Sequence, residues 1–420
     1  MSADPIESFS RHIAGEFTPT SAAELSRFVE QNSHGDRRGL YPVGGRTALH
    51  YGDPPQRDGT FVATGELSRV VDFAARDMTI TVEAGIRIEE LQRHLADAGQ
   101  RLPIDIPQGH RATLGGALVS NTSGPGRFGY GTFRDYVIGI SAVDGQGRLF
   151  SAGGRVVKNV AGYDLCKLLI GSLGTLAIVT QVTLKTRPLA PARGLLWMTF
   201  DAADMVEAAL QQLLVSRTRP VAIEVLNQKA AWQIVRDASL DLPAAPYVLC
   251  LAFEGSDRDT RWQLETVAAE LASLTESEQH PVPREHAERL WSALTEYQAS
   301  SDDPLTFQTS LPRSRTLKFI EHASSENVAV QAHAGNGIVI GHLPDSCSTA
   351  ESAAAILAPL RTLTEAADGT LTVLSCDEAW KQTLSVFGSA RPSWNLMRRL
   401  KQALDPDGVL NAGRFRFPED

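Results

Sequence analysis

The sequence predicts an α+β protein of two domains. Two observations predict it: the length of the chain, and a change in glycine content and strand–helix pattern near residue 190. At 420 residues the chain is longer than one hydrophobic core usually accommodates. Up to residue 190 it is dense in glycine and carries short β-type runs. Beyond residue 190, strands alternate with helices at a regular spacing. We therefore expect a glycine-rich α+β domain followed by a second, more regular one.

The first domain is expected to span residues 1–190. Its β-type runs lie at 79–85, 136–154 and 177–186, and glycine-rich turns separate them. A proline-rich stretch follows the last run and marks the end of the domain. The N-terminus is polar, without an apolar leader-like run, and no later segment approaches 18 uninterrupted apolar residues. This pattern predicts a cytoplasmic protein without a transmembrane segment.

The second domain is expected to span residues 191–380. Repeated strand–helix–strand units of this length predict an antiparallel sheet with helices on one face. The remaining 381–420 reads as a basic helix closed by a turn-rich segment. The strands are expected at 195–200, 221–226, 247–255, 306–311, 328–343 and 370–375.

Composition excludes several classes of partner and site. The hydrophobic content of 43% and charged content of 21% are typical of a soluble globular protein. A net charge of −9 argues against nucleic acid or an anionic membrane as the main partner. The four cysteines are scattered without CxxC spacing, which disfavours a disulfide framework, a structural zinc site or an internal iron–sulfur cluster.

Three glycine clusters in the first domain indicate a ligand. Gly44 and Gly45 allow backbone N–H groups to converge without Cβ obstruction, as a pyrophosphate requires. The stretch 102–135 is a long glycine-rich loop, which is uncommon unless it folds around a ligand. A third glycine cluster, at 158–176, would form the other wall of the same ligand-binding cleft. Neither a Walker A loop nor GxGxxG is present, so P-loop and Rossmann sites are excluded.

The order of these clusters resembles a known family. "TLGG", "GYGTFRD", "KNVAGYDL" and "GSLGTL" follow one another as in the FAD-binding domain of the vanillyl-alcohol oxidase/p-cresol methylhydroxylase superfamily, over residues 35–190. The stretch from "GGRVVKNVAGYDL" to "LKTRP" is especially similar to the FAD-binding E subunit of bacterial glycolate oxidase. The closing "LDPDGVLNAGRF" resembles that family's C-terminal segment.

The resemblance implies a two-part FAD-binding domain of the p-cresol methylhydroxylase type, to which the C-terminal segment returns, and an α+β cap domain. It also implies the cofactor residues, position by position. Members with covalent flavin carry a His directly after the Gly-Gly pair, where this chain has Arg46, so non-covalent FAD is expected; attachment through His50 is the alternative. The implied FAD-binding residues are Pro42, Gly44, Gly45, Arg46, Thr47, Pro107, Thr113, Gly115, Gly116, Ser120, Asn121, Gly124, Gly131, Gly171, Ser172, Gly174 and Ile178.

The catalytic residues are harder to place than the cofactor residues. Oxidation of a 2-hydroxy acid needs a base for the hydroxyl proton and a cation for the carboxylate. His333 and Arg134 are the preferred candidates, and a structural role beside a Gly-Asn hairpin is the alternative for His333. Counted along a single strand, His333 and His342 fall on opposite faces. Further candidates are His342, Lys158 and Tyr163.

No metal site is expected. Metal-dependent relatives have a second His soon after the first and a His-Gly-Glu element; here the second His is delayed and that element is absent.

The resemblance implies a glycolate oxidase or dehydrogenase subunit that oxidises glycolate or a related 2-hydroxy acid by hydride transfer to flavin. A non-catalytic, FAD-binding relay or stabilising subunit is the alternative, and a sugar-nucleotide reductase of the same superfamily is a distant third. The implied partners are a flavoprotein paralogue and an iron–sulfur subunit, through which the chain would lie at the periphery of the inner membrane.

Overall fold

The computed structural model describes residues 9, 12–154, 164–272, 277–299 and 303–417. Lys158 and Tyr163 lie outside this described part. The chain divides into two compact units. Unit 1 takes its described residues from Met1–Thr122, Thr132–Leu189 and Ser389–Asp420, and unit 2 from Ser123–Gly131 and Ala190–Gly388.

Eighteen strands are described. They are β1 (Ile13–Phe17), β2 (Gly39–Val43), β3 (Gly59–Ala63), β4 (Val70–Ala74), β5 (Thr79–Glu83), β6 (Gln100–Arg101), β7 (Val137–Asp144), β8 (Leu149–Gly153), β9 (Ala177–Lys185), β10 (Arg187–Pro188), β11 (Ala192–Phe200), β12 (Ala222–Asn227), β13 (Tyr247–Gly255), β14 (Glu278–Val282), β15 (Leu305–Ser310), β16 (Ala329–His333), β17 (Ile338–His342) and β18 (Thr370–Cys376).

The α-helices are α1 (Ala22–His34), α2 (Ile88–Ala96), α3 (Leu114–Ser120), α4 (Arg127–Tyr130), α5 (Phe133–Tyr136), α6 (Leu165–Leu169), α7 (Ala203–Val215), α8 (Gln228–Ala238), α9 (Asp257–Ala272), α10 (Arg284–Glu296), α11 (Thr316–Ser325), α12 (Ala350–Glu365) and α13 (Trp394–Leu404). None of these helices, in the part of the chain that is described, has the length and apolar character needed to cross a membrane.

Unit 1 contains two larger sheets and a two-stranded ribbon. The first sheet has the order β1-β3-β2 with parallel pairs, and the second has the order β4-β5-β9-β7-β8 with antiparallel pairs. Strands β5 and β9 read "TITVE" and "AIVTQVTLK", and such β-branched runs suit a pleated sheet that is buried on both sides. The five-stranded sheet and helices α2 and α3 share one hydrophobic core.

The C-terminal segment completes unit 1. Val409 and Leu410 are buried in the core beside α1. The N–H of Leu40 on β2 donates to the carbonyl of Val409, and the N–H of Asn411 donates to the carbonyl of Leu40, both at 2.8 Å. The last residues of the chain therefore pair with one of its first strands. Unit 1 takes up the chain again at Ser389, eight residues after the expected boundary.

Unit 2 is built on one eight-stranded antiparallel sheet with the order β14-β11-β13-β12-β16-β17-β15-β18. The antiparallel sheet is as predicted, but helices cover both of its faces rather than one. Helices α7, α9, α11 and α12 pack on one face, and α8 and α10 pack on the other. The reason is visible in β11, where Leu196 and Met198 face one core while Leu195 and Trp197 face the other.

One stretch of the glycine-rich loop belongs to unit 2, although the sequence places it in the first domain. We call Ser123–Gly131 the crossing segment. The N–H of Gly129 donates to the carbonyl of Val221 at 2.9 Å, and Tyr130 Oη donates to Glu254 at 2.5 Å. The side-chain amide of Gln298 donates to the carbonyl of Ser123 at 3.0 Å. Gly124 and Gly131, both predicted to bind FAD, therefore lie in unit 2. A glycine pattern alone does not reveal which sheet its loop pairs with.

Candidate functional site

Unit 1 contains a cleft bounded by three segments of backbone. Two adjoining volumes of about 620 and 380 Å³, including their open mouths, share walls at Pro42, Gly44, Gly116 and Asn411. Volumes of this size are typical of small-molecule sites. Most of the walls come from the turn after β2, from the start of α3 and from the segment around Gly174, which are the three glycine clusters noted in the sequence. The C-terminal segment adds Asn411 and Arg414.

Glycine is required in the cleft because the segments approach one another closely. A Cβ at Gly44 would overlap the Thr113 side chain, and a Cβ at Gly45 would overlap the carbonyl of Arg111. Gly116 differs, since a Cβ there would meet only Thr113 Oγ1, at 3.3 Å. The first two glycines allow the walls to pack, while Gly116 leaves room in the cleft itself.

The third wall has an unusual backbone and an unpaired hydroxyl. Gly171, Leu173 and Gly174 all have positive φ, at 79°, 52° and 64°, a region that Leu rarely occupies. The amide of Asn411 donates to the carbonyl of Leu173 at 2.6 Å and so holds this turn. Between them, Ser172 Oγ is buried with no hydrogen-bond partner in the described structure. A buried hydroxyl in that state is suited to an additional polar group.

Arg414 fixes the loop that continues from the first wall. Its guanidinium donates to the carbonyls of Leu49, Tyr51 and Asp53, the last at 2.7 Å. The Arg414 side chain lies over the ring of Phe9, with the guanidinium carbon 4.9 Å from the ring centroid. The Arg414 side chain is only 7% exposed, so these hydrogen bonds are largely shielded from water. The C-terminal segment thus holds the cleft loop in place through one cation.

The residue after the Gly-Gly pair is turned toward a carboxylate. Arg46 has a φ of 58°, and its guanidinium forms an ion pair with Glu16 and lies 5.1 Å above the ring of Phe61. His50 packs edge-on against Tyr51, with ring centroids 5.0 Å apart. Burial raises the pKa of Tyr51 to about 12.

The structure brings most of the implied cofactor residues together. The cleft walls include eleven of them: Pro42, Gly44, Gly45, Arg46, Thr47, Thr113, Gly115, Gly116, Ser120, Gly174 and Ile178. Gly171 and Ser172 lie beside its third wall, and a Cβ at Gly171 would meet Asn121 at 3.4 Å. Pro107 is buried in unit 1 but does not line either volume.

Unit 2 contains a polar cluster on the sheet face that carries α8 and α10. It consists of Glu224 on β12 and Gln331 and His333 on β16, all buried. His333 Nδ1 lies 2.8 Å from both carboxylate oxygens of Glu224. The amide of Gln331 donates to Glu224 at 2.7 Å and to the carbonyl of Leu294 at 3.1 Å. Strand register explains the pairing, because Glu224 and His333 are direct cross-strand partners.

The imidazole of His333 is oriented with one nitrogen available. Its Nδ1 faces the Glu224 carboxylate, which fixes the tautomer with the proton on Nδ1. The other nitrogen, Nε2, has no hydrogen-bond partner among the residues described. A neutral imidazole in this state has a lone pair on Nε2 that can accept a proton, and the carboxylate would stabilise the resulting cation.

The expectation that His333 and His342 lie on opposite faces is wrong. A turn at 334–337 reverses the chain, so that His333 pairs with Ile338 and His342 pairs with Ala329. Cross-strand partners share a face, and both histidines therefore lie on the same face at opposite ends of a hairpin. His342 Nδ1 lies 3.0 Å from Thr306 Oγ1 and 3.2 Å from Asp303. The two imidazoles belong to separate clusters.

Arg134, the expected cation, lies in unit 1 on α5. Its side chain is exposed and donates to the carbonyl of Lys167 at 3.0 Å. His333 lies in unit 2.

Comparison with known protein families decides the class of the chain. Residues 13–153 match the family described as an FAD-binding domain, and residues 190–372 and 389–415 match the C-terminal domain of FAD-linked oxidases. The chain belongs to the FAD-linked oxidase family. It is an FAD-dependent oxidoreductase, as the sequence predicted.

Relatives of this FAD-linked oxidase include several dehydrogenases. It is 26% identical over 424 residues to the glycolate oxidase subunit GlcD of Bacillus subtilis. That alignment covers 96% of this chain and 88% of GlcD. It is 28% identical over 404 residues to D-2-hydroxyglutarate dehydrogenase of Xanthomonas citri. That alignment covers 90% of this chain and 84% of the dehydrogenase. Identity to the glycolate oxidase subunit GlcE of Escherichia coli is 38%, over only 120 residues, or 28% of this chain and 34% of that protein.

The fold of this FAD-linked oxidase is that of the predicted superfamily. The structure of p-cresol methylhydroxylase with substrate bound matches 98% of this chain and 96% of that chain at 15% identity, with a TM-score of 0.72. The predicted fold class is therefore confirmed. FAD as the cofactor is confirmed by the two family matches.

The cleft of this FAD-linked oxidase fits FAD on structural grounds. Its size, the close backbone approach that its glycines allow and the unpaired hydroxyl of Ser172 suit a flat, phosphate-bearing cofactor. Sequence reasoning missed several lining residues, notably Tyr41, Leu49, Val119, Asn411 and Arg414. Asn411 and Arg414 could have been named, since both belong to the closing "LNAGRF" segment. The apolar ones carry no signal that separates them from core residues.

Proposed function

We propose that this chain is the FAD-bearing, E-type subunit of a glycolate oxidase or dehydrogenase and that it oxidises glycolate or a related 2-hydroxy acid. Bound FAD would accept the hydride from the carbon that carries the hydroxyl group. The residue assigned to the hydroxyl proton is His333. The single observation that carries the proposal is the buried Glu224–His333 pair, with Nδ1 held at 2.8 Å and Nε2 without a partner among the described residues.

The relatives support this substrate class. GlcD and D-2-hydroxyglutarate dehydrogenase are named for 2-hydroxy acids, and both align with most of this chain. The match to GlcE, which has the higher identity but spans only 28% of this chain, supports the E-type assignment, whereas the match to GlcD spans 96% of it. A base next to the hydroxyl group is needed in any such reaction, because the hydroxyl proton and the hydride must leave by different routes.

Anaerobic mixing of the purified, FAD-loaded chain with glycolate, D-lactate or D-2-hydroxyglutarate tests the proposal. We expect loss of the oxidised flavin absorbance with at least one of them. In His333→Gln, which keeps a polar side chain of similar size, reduction should slow by about 10² to 10⁴-fold while flavin content stays unchanged. Absence of reduction by all three acids, in the isolated chain and in its native complex, would disprove the proposal.

A non-catalytic, FAD-binding relay or stabilising subunit is the second candidate. The separation of His342 from His333 favours it, because a pair of histidines close together, as in metal-dependent relatives, is not assembled here. A chain that holds FAD and is reduced only when a flavoprotein paralogue is added would support this candidate.

The proposed partners are a flavoprotein paralogue and an iron–sulfur subunit. GlcD and GlcE are both named as subunits of glycolate oxidase, which supports a complex. Passage from a two-electron flavin to one-electron iron–sulfur centres would also require a separate cysteine-rich chain. The proposed location is the cytoplasm, with attachment to the inner membrane through the partners. Gentle purification of the tagged chain from its host, followed by identification of co-purifying subunits, is the test.

FAD is proposed to be non-covalent, since Arg46 rather than His follows the Gly-Gly pair and is paired with Glu16. Acid precipitation should release the flavin into the supernatant. Flavin that stays with the pellet would point to His50, whose ring packs next to Tyr51.

A further inference from the structure

Arg127 carries a partly buried positive charge that has few partners. Its Nη1 donates to Ser123 Oγ at 2.8 Å, and its Nε is buried without a hydrogen-bond partner among the described residues. Burial lowers the pKa of the Arg127 guanidinium, and attraction to Glu224 opposes that effect. A guanidinium has five N–H donors, and burying one without acceptors is unfavourable. The side chain is therefore suited to an additional anion.

The crossing segment holds Arg127 close to the polar cluster. Immediately after it, Phe128 packs against Gly335, where an added Cβ would overlap the phenyl ring. Gly335 lies two residues beyond His333 in the same turn. The N–H of the next residue, Gly129, donates to the carbonyl of Val221, which immediately precedes β12 and lies three residues before Glu224. Both attachments belong to unit 2 and are made by backbone or by ring packing, so the position of Arg127 does not depend on its own charge.

The charges around Arg127 leave room for one more carboxylate. Both oxygens of Glu224 contact His333 Nδ1, and one also accepts from Gln331. Glu224 therefore attracts Arg127 from a distance but is occupied by direct partners. A ligand carboxylate could take the free guanidinium donors, and its hydroxyl group would then be near the imidazole that lacks a partner on Nε2.

We propose that Arg127 binds the carboxylate of the 2-hydroxy acid and so places the hydroxyl group of that acid beside His333. The inference rests on the proposed function, and it replaces Arg134 with Arg127 as the substrate cation. Arg134 is exposed, and an ion pair in water contributes little, whereas a charge-assisted bond to a partly buried guanidinium is strong and geometrically specific. With the carboxylate bound, His333 Nε2 would accept the hydroxyl proton. FAD, when bound, would supply the two-electron acceptor, so that the product would be the 2-oxo acid.

Oxalate binding to the FAD-loaded chain, measured by calorimetry, tests this assignment. Oxalate carries the carboxylate but has no C–H bond to oxidise, so binding is separated from turnover. We expect Arg127→Gln to weaken oxalate binding by about 100-fold or more, because truncating one partner of a buried charged pair is costly. Arg127→Lys keeps the charge but not the planar fork, and should weaken binding by roughly 10-fold. Flavin content and thermal unfolding check that each variant is folded.

Two arginine variants serve as controls. Arg236→Gln removes an arginine that is 72% exposed on α8 of the same unit and should leave oxalate binding unchanged. Arg134→Gln should also leave it unchanged; loss of binding in that variant alone would overturn the inference in favour of Arg134.

The outcomes separate this inference from the proposed function. Equal oxalate binding in the wild type and Arg127→Gln would overturn the role of Arg127 without touching the oxidation of hydroxy acids. A wild type that fails to bind oxalate overturns it as well, even if glycolate reduces the flavin. Conversely, if Arg127→Gln loses oxalate binding while no hydroxy acid reduces the wild type, Arg127 is an anion site and the proposed oxidation is wrong.

Discussion

The cleft of unit 1 depends on the close approach of backbone segments at its glycines, whereas the polar cluster of unit 2 depends on hydrogen bonds between side chains. In the cleft, Gly44 and Gly45 have no side chain, and this allows the turn after β2 to approach the segment at Arg111 and Thr113 closely. In the cluster, Glu224 and His333 are brought together only because β12 and β16 pair in one register. A large cofactor needs space between segments, while the proton transfer proposed for His333 needs an imidazole with a defined orientation. The two sites should respond to mutation in different ways.

The largest expected effect is on the folding of unit 2. Glu224→Ala removes the carboxylate that holds His333 and Gln331, leaving buried polar groups unpaired, and should lower the free energy of unfolding by about 3 kcal/mol. Flavin content should stay close to that of the wild type. Glu265→Ala, an exposed position on α9 of the same unit, is the matched control and should change stability little. Equal effects of the two changes in chemical denaturation would contradict this description of the cluster.

Gly116→Val should weaken flavin binding while changing the stability of the fold little, which is the reverse of Glu224→Ala. Its Cβ meets only Thr113 Oγ1, at 3.3 Å, so the added methyl groups occupy the cleft more than they disturb packing. We expect the FAD dissociation constant to rise roughly 100-fold, equivalent to about 3 kcal/mol. Gly15→Val on β1 is the control, because no atom lies within 4 Å of its added Cβ. Full flavin retention in Gly116→Val, measured by absorbance after gel filtration, would show that FAD does not lie along α3.

Arg414→Ala tests whether a side chain also shapes the backbone-bounded cleft. Removing the guanidinium leaves the carbonyls of Leu49, Tyr51 and Asp53 without their donor, which should cost about 2 kcal/mol in flavin affinity. Arg76→Ala, an exposed arginine of the same unit, provides the comparison. Fluorescence titration of the apoprotein with FAD measures both. An unchanged affinity would mean that the loop keeps its shape without Arg414.

The smallest effect is a pH dependence in unit 1. Burial raises the pKa of Glu83, but the hydrogen bonds and charge of Arg69 outweigh it and hold the pKa below its ordinary value. The pair therefore adds stability above the unfolded-state pKa of about 4.3, and this stability is lost as the pH falls through the lower, folded-state pKa.

Thermal unfolding of Glu83→Gln between pH 7 and pH 3 measures this contribution. We expect a loss of about 1 kcal/mol near neutral pH that shrinks in acid. The control is Glu66→Gln, a substitution of an exposed carboxylate in the same unit. A difference between wild type and Glu83→Gln that stays constant in acid would rule out the ion pair as its source.

Prediction from the sequence succeeded for strands that can be recognised from their own residues. The six expected strands of the second domain correspond to β11, β12, β13, β15, the β16–β17 hairpin and β18, because each is a compact β-type run. Strand β14, "EQHPV", was missed since it is short and polar with a proline, as edge strands often are. The opposite-face expectation for the two histidines failed because a Gly-Asn turn divides what was counted as a single strand.

Long-range pairing limited the prediction of the sites. Glu224 lies 109 residues before His333, and nothing local to either shows that they are cross-strand partners. Arg127 reads as one more polar residue in a glycine-rich loop, and only the attachment of that loop to unit 2 brings it near Glu224. By contrast, glycines near a cofactor leave a visible pattern, because close backbone approach admits few other residues.

The crossing segment makes this protein a poor subject for modular exchange. The chain passes from one unit to the other at four points, not at a single linker, because unit 2 includes Ser123–Gly131. A chimera joined near residue 190 would take the eight-stranded sheet of unit 2 from one parent and the crossing segment from the other. Val221 and Glu254 would then have to hydrogen-bond to a crossing segment of different sequence. Recombination that keeps unit 2 intact must therefore transfer those nine residues together with 190–388. Evolutionary change in unit 2 has to be accommodated in both pieces at once.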